Sequence, residues 1–274
     1  MTGAFNILRE YINLAGSVLL TALIFYALER LAPAERGQPL SGWLFNVAYT
    51  PLILALIILL DLLFHPARSH ILASTGGGLL PVFVGEESGP AEHLLFAVAY
   101  AVVWDFWQYL LHRLQHAVPF LWETHKFHHS ETALNSATQS KVHALSYLLT
   151  VVFYLPVIAL FGSQAPHFIA TFLLFRLWGF INHMNVRVSF GPLTPVISGP
   201  QWHRIHHSIN AEHYNKNFAT FFPFIDIMFG TYYRPRKEEY PPSGLAGERL
   251  PALRGATVEP FLAWHKMALG RLRR

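Results

Sequence analysis

The chain has 274 residues, of which 53% are hydrophobic and only 13% are charged, about half the roughly 25% of charged residues usual in soluble proteins. The absence of cysteine excludes disulfides, thiolate-ligated haem, iron–sulfur clusters and cysteine zinc sites, so any bound metal must use nitrogen and oxygen ligands. The net charge of +4 is modest and no nucleic-acid-binding motif accompanies it, so we expect a lipid bilayer as partner and no nucleic acid.

The hydrophobic residues are concentrated in five segments, each close to the roughly 20 residues that a helix needs to cross a bilayer. These segments are residues 12–31, 43–64, 92–114, 145–161 and 165–183. The first has neither a strongly basic start nor a small-residue cleavage site, so we interpret it as a span and not as a signal peptide. Pro51 and Pro156 are expected to kink or shorten the second and fourth segments, either of which could be re-entrant.

The charges at the segment ends predict which side of the membrane each loop occupies. The loops at 74–78 and 85–90 are uncharged or acidic, whereas basic residues flank the opposite helix ends, namely Arg30, Arg36, Arg113, Lys126 and Lys141. The positive-inside rule therefore places residues 117–144 in the cytoplasm, and alternation of the spans returns His183 and everything after it to that side. We predict an all-α, multi-pass transmembrane helical bundle with a cytoplasmic, helical, histidine-rich metal-binding cap.

Eight of the sixteen histidines fall into three groups with helical spacing. His112 and His116 end the third segment, and the pattern H-x-x-H-H occurs at 125–129 and again at 203–207. Residues three and four apart share one helix face, so each group is predicted to present its imidazoles together. Eight imidazoles exceed the roughly three protein ligands of a catalytic zinc, so two metals fit better. Iron is the natural candidate because oxygen activation needs a redox metal, although zinc could occupy the site in a purified sample.

Two other classes of membrane protein also use histidines on helices. A b-type haem protein needs single axial histidines spaced across the bilayer, and a metal transporter is expected to place its ligands nearer the bilayer midplane. An intense Soret band would identify the haem protein. A membrane metalloprotease is disfavoured because the H-E-x-x-H motif is absent.

The histidine motifs and their surroundings resemble the fatty acid hydroxylase/sterol desaturase superfamily of membrane di-iron oxygenases. The resemblance is carried by DFWQYLLHRLQH at 105–116, HKFHHS at 125–130 and HRIHHS at 203–208, and it extends to the residues around 135–138, 182–187 and 217–232. It covers residues 92–235, which we predict to be the catalytic domain. Residues 1–91 would then form N-terminal transmembrane helices, and residues 236–274 a basic C-terminal tail with an amphipathic stretch at 261–264 on the membrane surface.

The resemblance implies that the histidines of the three motifs ligate two metals, with one more histidine between the second and third motifs. The implied ligands, also the implied catalytic residues, are His112, His116, His125, His128, His129, His183, His203, His206 and His207. His143 ranks lower because the residues at 141–144 depart from the arginine and proline that relatives often show there, and so does His213.

Three acidic residues are candidates for supporting the ligands. Asp105 lies one heptad before His112 on nearly the same helix face, where it is predicted to accept the ring N–H of a ligating histidine. Asp226 and Glu123 are weaker candidates for the same role.

The predicted activity is O₂-dependent hydroxylation or desaturation of a C–H bond in a lipid, which could be a sterol, fatty acyl chain, carotenoid or aminolipid. Four aromatic residues are candidates for lining the substrate slot, with packing in the membrane as the alternative role, namely Trp104, Trp107, Phe175 and Trp178. The chain has no G-x-G-x-x-G signature and no cysteine, so a separate electron donor (cytochrome, ferredoxin or reductase) is implied. A basic cytoplasmic surface could attract an acidic donor or could instead be a solvated or lipid-facing patch; it is formed by Arg187, Arg204, Lys216 and Arg234.

Overall fold

The computed structural model describes residues 2–79, 88–162 and 165–270, and within these ranges the fold is all-α, as predicted. Part of the acidic run at 85–90 and the last four residues of the tail lie outside the described residues. The helices are α1 (Thr2–Glu29), α2 (Leu40–Ser74), α3 (Pro90–Ala117), α4 (Pro119–His129), α5 (Ala144–Phe161), α6 (Ala165–His183), α7 (Pro200–His206), α8 (Phe224–Met228), α9 (Ala252–Thr257) and α10 (Glu259–Ala268). Short 3₁₀ helices occur at Ser136–Ser140, Gly191–Leu193 and Ala211–His213.

Four helices in the described part of the chain are long and apolar enough to cross a membrane: the Tyr11–Glu29 part of α1, and α2, α3 and α5. Large apolar side chains such as Leu20, Leu52 and Leu63 are exposed on their outer faces, as expected of surfaces that contact lipid. These helices indicate a membrane protein. The predicted fifth span is also a helix, α6, which carries Arg176 within it and ends at Asn182 and His183.

The second and fourth segments are continuous helices, so the prediction that a proline shortens them is wrong. α2 contains both Pro51 and Pro66 and runs for 35 residues, which is roughly 50 Å at the rise of an α-helix. α5 likewise continues through Pro156. α1 contacts α2 at this position, where the Tyr11 hydroxyl donates a hydrogen bond to the Pro51 carbonyl at 3.0 Å.

Proline also fixes where the helices near the predicted site begin. Pro90, Pro119 and Pro200 occupy the first turns of α3, α4 and α7, where the missing N–H is unpaired in any helix. α4 starts only one residue after α3 ends. The chain therefore turns sharply at Val118, and the histidines of α4 are brought back beside those at the end of α3.

Two clusters of buried side chains hold these helices together. Tyr100 and Trp104 of α3 pack with Tyr154 and Val157 of α5 and Phe175 of α6. Nearer the histidines, the second cluster joins α3 to α7 and to the segment that follows α7; its members are Tyr109, Trp202, Phe218, Ala219 and Ile225. The clusters fix α3, α5, α6 and α7 around one interior.

The residues after 236 fold back onto the site region. The Trp264 indole stacks on Phe120 of α4 with ring centroids 4.1 Å apart and donates from Nε1 to the Phe120 carbonyl. Lys126 of α4 forms an ion pair with Glu248 at 2.8 Å and approaches Glu259 at 3.7 Å. This segment therefore supports α4 from the side opposite the spans.

Candidate metal centre

Nine histidines form two adjoining groups at one end of the helical bundle. In each group, one nitrogen from every ring lies within 4.8 Å of those of all the others. Group one contains His112, His116, His125, His129 and His206, and group two contains His128, His183, His203 and His207. The structure thus brings together all nine of the predicted ligands, and neither group includes a carboxylate from the described residues.

Each H-x-x-H-H motif contributes to both groups. On an α-helix, residues four apart are separated by about 40° around the axis and residues three apart by about 60° in the opposite sense. In α4, His125 and His129 therefore enter group one while His128 turns toward group two. In and after α7 the assignment is reversed, because His203 and His207 enter group two and His206 enters group one. The doubled motif thus interleaves the two groups.

The remaining ligand candidates come from the ends of two long helices. His112 and His116 lie four residues apart in the last turns of α3, where they complete group one. His183 is the final residue of α6, and it completes group two. The long helices α3 and α6 therefore supply three of the nine histidines, and α4 and the segment of α7 supply the other six.

The spacing of the ring nitrogens suits a metal ion. Two nitrogens bound at roughly 2.1 Å to one ion, at about a right angle, lie roughly 3 Å apart. In group one, His129 Nε2 is 3.1 Å from His116 Nε2 and 3.2 Å from His125 Nε2. In group two, His183 Nε2 is 3.1 Å from His128 Nε2 and 3.0 Å from His203 Nε2. Both groups already have the separations of metal ligands.

Backbone carbonyls orient four of the nine rings. The Nδ1 atom of His112 donates to the Phe218 carbonyl at 2.8 Å, and that of His183 donates to the Gly179 carbonyl at 2.7 Å. The Nδ1 atom of His206 donates to the Lys216 carbonyl at 2.8 Å, and that of His128 donates to the Lys141 carbonyl at 3.2 Å. A carbonyl only accepts, so Nδ1 carries the proton and the Nε2 lone pair is left for a metal. Nε2 of His112 and of His206 is buried with no hydrogen-bond partner among the described residues. The donor set therefore fits a metal ion in each group.

Burial keeps the histidines of α4 and of the third motif uncharged. It lowers the pKa of His125, His128, His129, His203, His206 and His207 well below the usual value, with repulsion between neighbouring imidazoles adding to the shift. Neutral imidazole is the form that ligates metals. At neutral pH these rings are consequently ready to bind.

Asp105 does not contact a histidine, so its predicted hydrogen bond is wrong. Its carboxylate accepts the backbone N–H groups of Thr220, Phe221 and Phe222 at 2.8, 2.9 and 2.6 Å. Asp226 holds the preceding residues in the same way, accepting from the N–H groups of Phe218 and Ala219 at 2.8 and 2.9 Å. The two acids therefore position the segment 218–222, whose first residue provides the carbonyl for His112. Their effect on the site is transmitted through that backbone.

The other weak candidates have structural roles. Glu123 approaches Lys126 at 3.7 Å. His143 caps α5 by accepting from the Leu145 N–H, and its Nε2 lies 3.1 Å from the Thr257 carbonyl. His213 contacts the Ser208 hydroxyl at 2.9 Å. None of the three belongs to either histidine group.

Sequence reasoning missed the carbonyls that orient the rings, because every residue has one. Asn217 offered a partial signal, since asparagine is enriched at positive φ and here it has φ of 63°. Its side chain donates to the Trp202 carbonyl and accepts from the Tyr233 N–H. This turn presents the Lys216 and Phe218 carbonyls on either side of it to two different histidines.

A cavity of about 380 Å³ leads to the histidines from between α2, α3, α5 and α6. His112, His125, His128, His183 and His203 are at its inner end. Of the four predicted slot aromatics, Trp104 and Phe175 line it, whereas the indoles of Trp107 and Trp178 bond elsewhere, to the Phe153 carbonyl and the Ser198 hydroxyl. The histidine groups are therefore accessible to an elongated molecule.

The predicted basic surface is smaller than expected. Arg204 is buried, with its guanidinium bonded to Glu35 at 2.9 Å and to the Pro241 carbonyl, so it cannot contribute. Arg187 is exposed but paired with Glu238 at 2.8 Å. Lys216 is partly exposed and Arg234 is exposed.

The part of the chain that contains the histidine groups is similar in sequence to proteins of known function. Residues 97–231 match the family model of fatty acid hydroxylases. Ornithine lipid hydroxylase OlsE of Rhizobium tropici is 27% identical over 95% of this chain and 80% of its own length. Alkylglycerol monooxygenase of Homo sapiens is 35% identical over 47% of this chain, and the chain spans only 28% of that protein. Delta(7)-sterol-C5(6)-desaturase of Nicotiana tabacum is 26% identical over 55% of this chain and 54% of its own length. No solved structure matches the chain.

Proposed function

We propose that this oxidoreductase catalyses the O₂-dependent hydroxylation or desaturation of a C–H bond in a membrane lipid. Its residues 97–231 match the fatty acid hydroxylase family model. The observation that carries the proposal is the pair of adjoining imidazole groups at the inner end of a cavity between membrane-spanning helices. The relatives support a lipid substrate, since they are named for ornithine lipid hydroxylation, alkylglycerol monooxygenation and sterol desaturation.

The nine histidines would hold two iron ions, one in each group. A ligand set made only of imidazoles accepts iron, and zinc could replace it in a purified sample. The chemistry that the two irons supply when bound is the activation of O₂ and the removal of hydrogen from a C–H bond. Zinc has no redox chemistry, so a zinc-loaded protein should be inactive.

The protein's own contribution is to orient the ligands and to admit substrate while limiting water. The carbonyls of Lys141, Gly179, Lys216 and Phe218 fix the ring tautomers that leave Nε2 free. The Phe218 ring covers group one, with centroids 5.3 Å from His112 and 5.0 Å from His116. The cavity directs one part of the lipid toward both groups. Whether hydroxylation or desaturation follows would depend on which hydrogens of the bound chain face the metals.

Electrons would come from a separate protein, a cytochrome, a ferredoxin or a reductase, because the sequence has neither cysteines nor a dinucleotide-binding signature. We propose that this donor approaches from the cytoplasm, on the side of α4 and α7. The positive-inside distribution of arginine and lysine supports this orientation.

The two alternative classes fit this geometry less well. A b-type haem needs one histidine on each of its two faces, whereas these rings form clusters of five and four. A transporter needs a path through both sides of the membrane, and here the nine rings share one end of the bundle.

The test is a comparison of lipids from cells that express the wild-type protein and cells that express a variant with His128→Ala. Mass spectrometry should find a lipid heavier by one oxygen, or lighter by two hydrogens, in the wild-type cells only. Identical lipidomes, with the wild-type protein shown to be iron-loaded and supplied with reductant, would refute the proposed activity.

A further inference from the structure

We infer that Arg176 binds the anionic group of the substrate, which makes the substrate an amphiphile with a carboxylate or phosphate near the carbon that reacts. This inference rests on the proposed function, because it assigns a substrate class to the same cavity. Arg176 belongs to α6 and lines the cavity together with five of the nine histidines.

No carboxylate among the described residues forms an ion pair with the Arg176 guanidinium. Its Nη2 is buried and has no hydrogen-bond partner among the described residues. The side chain contacts the Phe180 ring, with Cζ 5.8 Å from the centroid, and this contact holds it without neutralising it. The other guanidinium in the cavity, that of Arg68, is already bonded to the Asp61 carboxylate. Arg176 is partly buried, and its unpaired Nη2 can donate a charge-assisted hydrogen bond, so Arg176 is a ready site for an anion that arrives with the ligand.

The position of Arg176 relates this anion to the metals. Arg176 precedes His183 by seven residues, which is nearly two turns, so both lie on the same face of α6 about 10 Å apart along its axis. An anionic group at Arg176 would therefore place a carbon only a short chain away at the inner end of the cavity. The reacting carbon is then near the polar group and far from the terminal methyl.

Polar side chains between these two residues also favour the polar part of a lipid. Gln139 lies directly on Gly179, so closely that a Cβ added there would be 2.4 Å from the glutamine amide nitrogen. Gln139 and Asn182 line the cavity. The Asn182 amide donates to the Thr220 carbonyl and accepts from the Ser198 hydroxyl, which leaves the Gln139 amide as the group for a ligand. A channel for bare hydrocarbon would gain nothing from such an amide, whereas an ester, amide or hydroxyl of a headgroup can bond to it.

The inference can be tested by ligand binding, without turnover. The full chain in phosphatidylcholine nanodiscs would be titrated with stearate carrying a doxyl spin label at carbon 5, and with its uncharged methyl ester, while quenching of tryptophan fluorescence is followed. Trp104 lines the cavity, so a bound label lies near an indole. The acid should bind at least about tenfold more tightly than the ester, and Arg176→Gln should remove this difference while Arg176→Lys retains part of it.

Arg30→Gln is the matched control. Arg30 also contacts an aromatic ring four residues away, that of Tyr26 at 4.8 Å, but it lies outside this cavity, so its loss should leave the preference for the acid unchanged. Competition by dodecanoate, dodecyl phosphate and dodecanol would show which anion is bound: the carboxylate or the phosphate should displace the label, and the alcohol should not.

The outcomes separate this inference from the proposed function. Equal binding of acid and ester by the wild-type protein would overturn the role of Arg176 even if Arg176→Gln does not fold, and so would an acid preference that survives in Arg176→Gln. Either result leaves oxidation of a neutral lipid intact. The protein could instead bind the acid more tightly than the ester through Arg176 but neither hold metal nor modify lipid. That result would support the binding site and refute the proposed lipid oxidation.

Discussion

The imidazole rings of His129 and His207 stack face to face, with centroids 4.4 Å apart and planes inclined by 20°. The two residues belong to different histidine groups, so the two groups are in direct contact through this pair. Ions held in the two groups would therefore be close neighbours. One substrate carbon could face both of them.

The first prediction concerns the independence of the two groups. His206→Ala removes a ligand from group one only, and His128→Ala removes one from group two only. Each variant should lose about one of two bound metal ions and nearly all lipid oxidation, since both ions are needed. Metal content by mass spectrometry of the purified protein measures this. His65→Ala, at an exposed histidine of α2, is the control and should keep both ions. Full metal content in both ligand variants would contradict the assigned ligands.

The second prediction concerns Asp105. Asp105→Ala leaves three backbone N–H groups of the segment 220–222 without their acceptor, and unpaired buried donors cost roughly 1–3 kcal/mol each. We expect a fall of several degrees or more in the melting temperature, together with weaker metal binding in group one through the displaced Phe218 carbonyl. Asp61→Asn, whose carboxylate is paired with Arg68 and partly exposed, should change the melting temperature little. An unchanged melting temperature for Asp105→Ala would contradict the anchoring role.

The third prediction concerns the buried ion pair of Lys141 and Glu131, whose atoms are 3.1 Å apart. The Lys141 carbonyl also accepts from His128 Nδ1, so the pair lies directly behind a ligand candidate. Lys141→Met leaves the buried Glu131 carboxylate without a counter-ion, although Asn46 and the Ala133 N–H still donate to it, and should cost about 3 kcal/mol in the free energy of unfolding. Arg187→Met breaks an exposed pair with Glu238 and should cost less than about 1 kcal/mol. Similar losses in the two variants, measured by denaturation in detergent, would be inconsistent with this account.

The fourth prediction concerns pH. Burial lowers the pKa of the α4 and α7 histidines in the folded chain, whereas the same residues in the unfolded chain titrate near 6.5. Below that pH the unfolded state binds more protons, so stability falls as the pH decreases. Each such histidine lowers the free energy of unfolding by up to about 1.4 kcal/mol for every pH unit below the pKa of the unfolded chain. The melting temperature of the metal-stripped protein should therefore be steady above about pH 7 and fall steeply toward pH 5. A flat profile across this range would show that the rings are charged or solvated.

The sequence was sufficient to predict the helical class and eight of the nine clustered histidines, because helical periodicity is local; His183 was implied only by the resemblance to the hydroxylase/desaturase superfamily. Residues three and four apart on α4 meet in any α-helix, whichever protein contains it. How the rings divide between two groups was not predicted, since it depends on how α4 and α7 face each other across α3 and α6. The same is true of the supporting carbonyls, which no side chain marks.

The failed expectations also have physical reasons. Asp105 shares a helix face with His112, but its carboxylate pairs with three nearby N–H groups that become available only when the segment after α7 folds against α3. Arg204 was expected on the surface, yet its side chain is buried and pairs with Glu35, which lies more than 160 positions earlier in the chain and is partly exposed. Contacts between residues so distant in sequence leave no local pattern.

Nine nitrogen donors and no carboxylate have an electrostatic consequence for the centre. Neutral ligands would not offset the positive charge of metal cations bound there, and Asp105 and Asp226 are engaged with backbone N–H groups. If the bound ions are iron, as proposed, such surroundings would raise their reduction potential, favour the ferrous over the ferric state and attract small anions such as azide or cyanide as ligands. The resting enzyme should therefore accept electrons from a mild reductant.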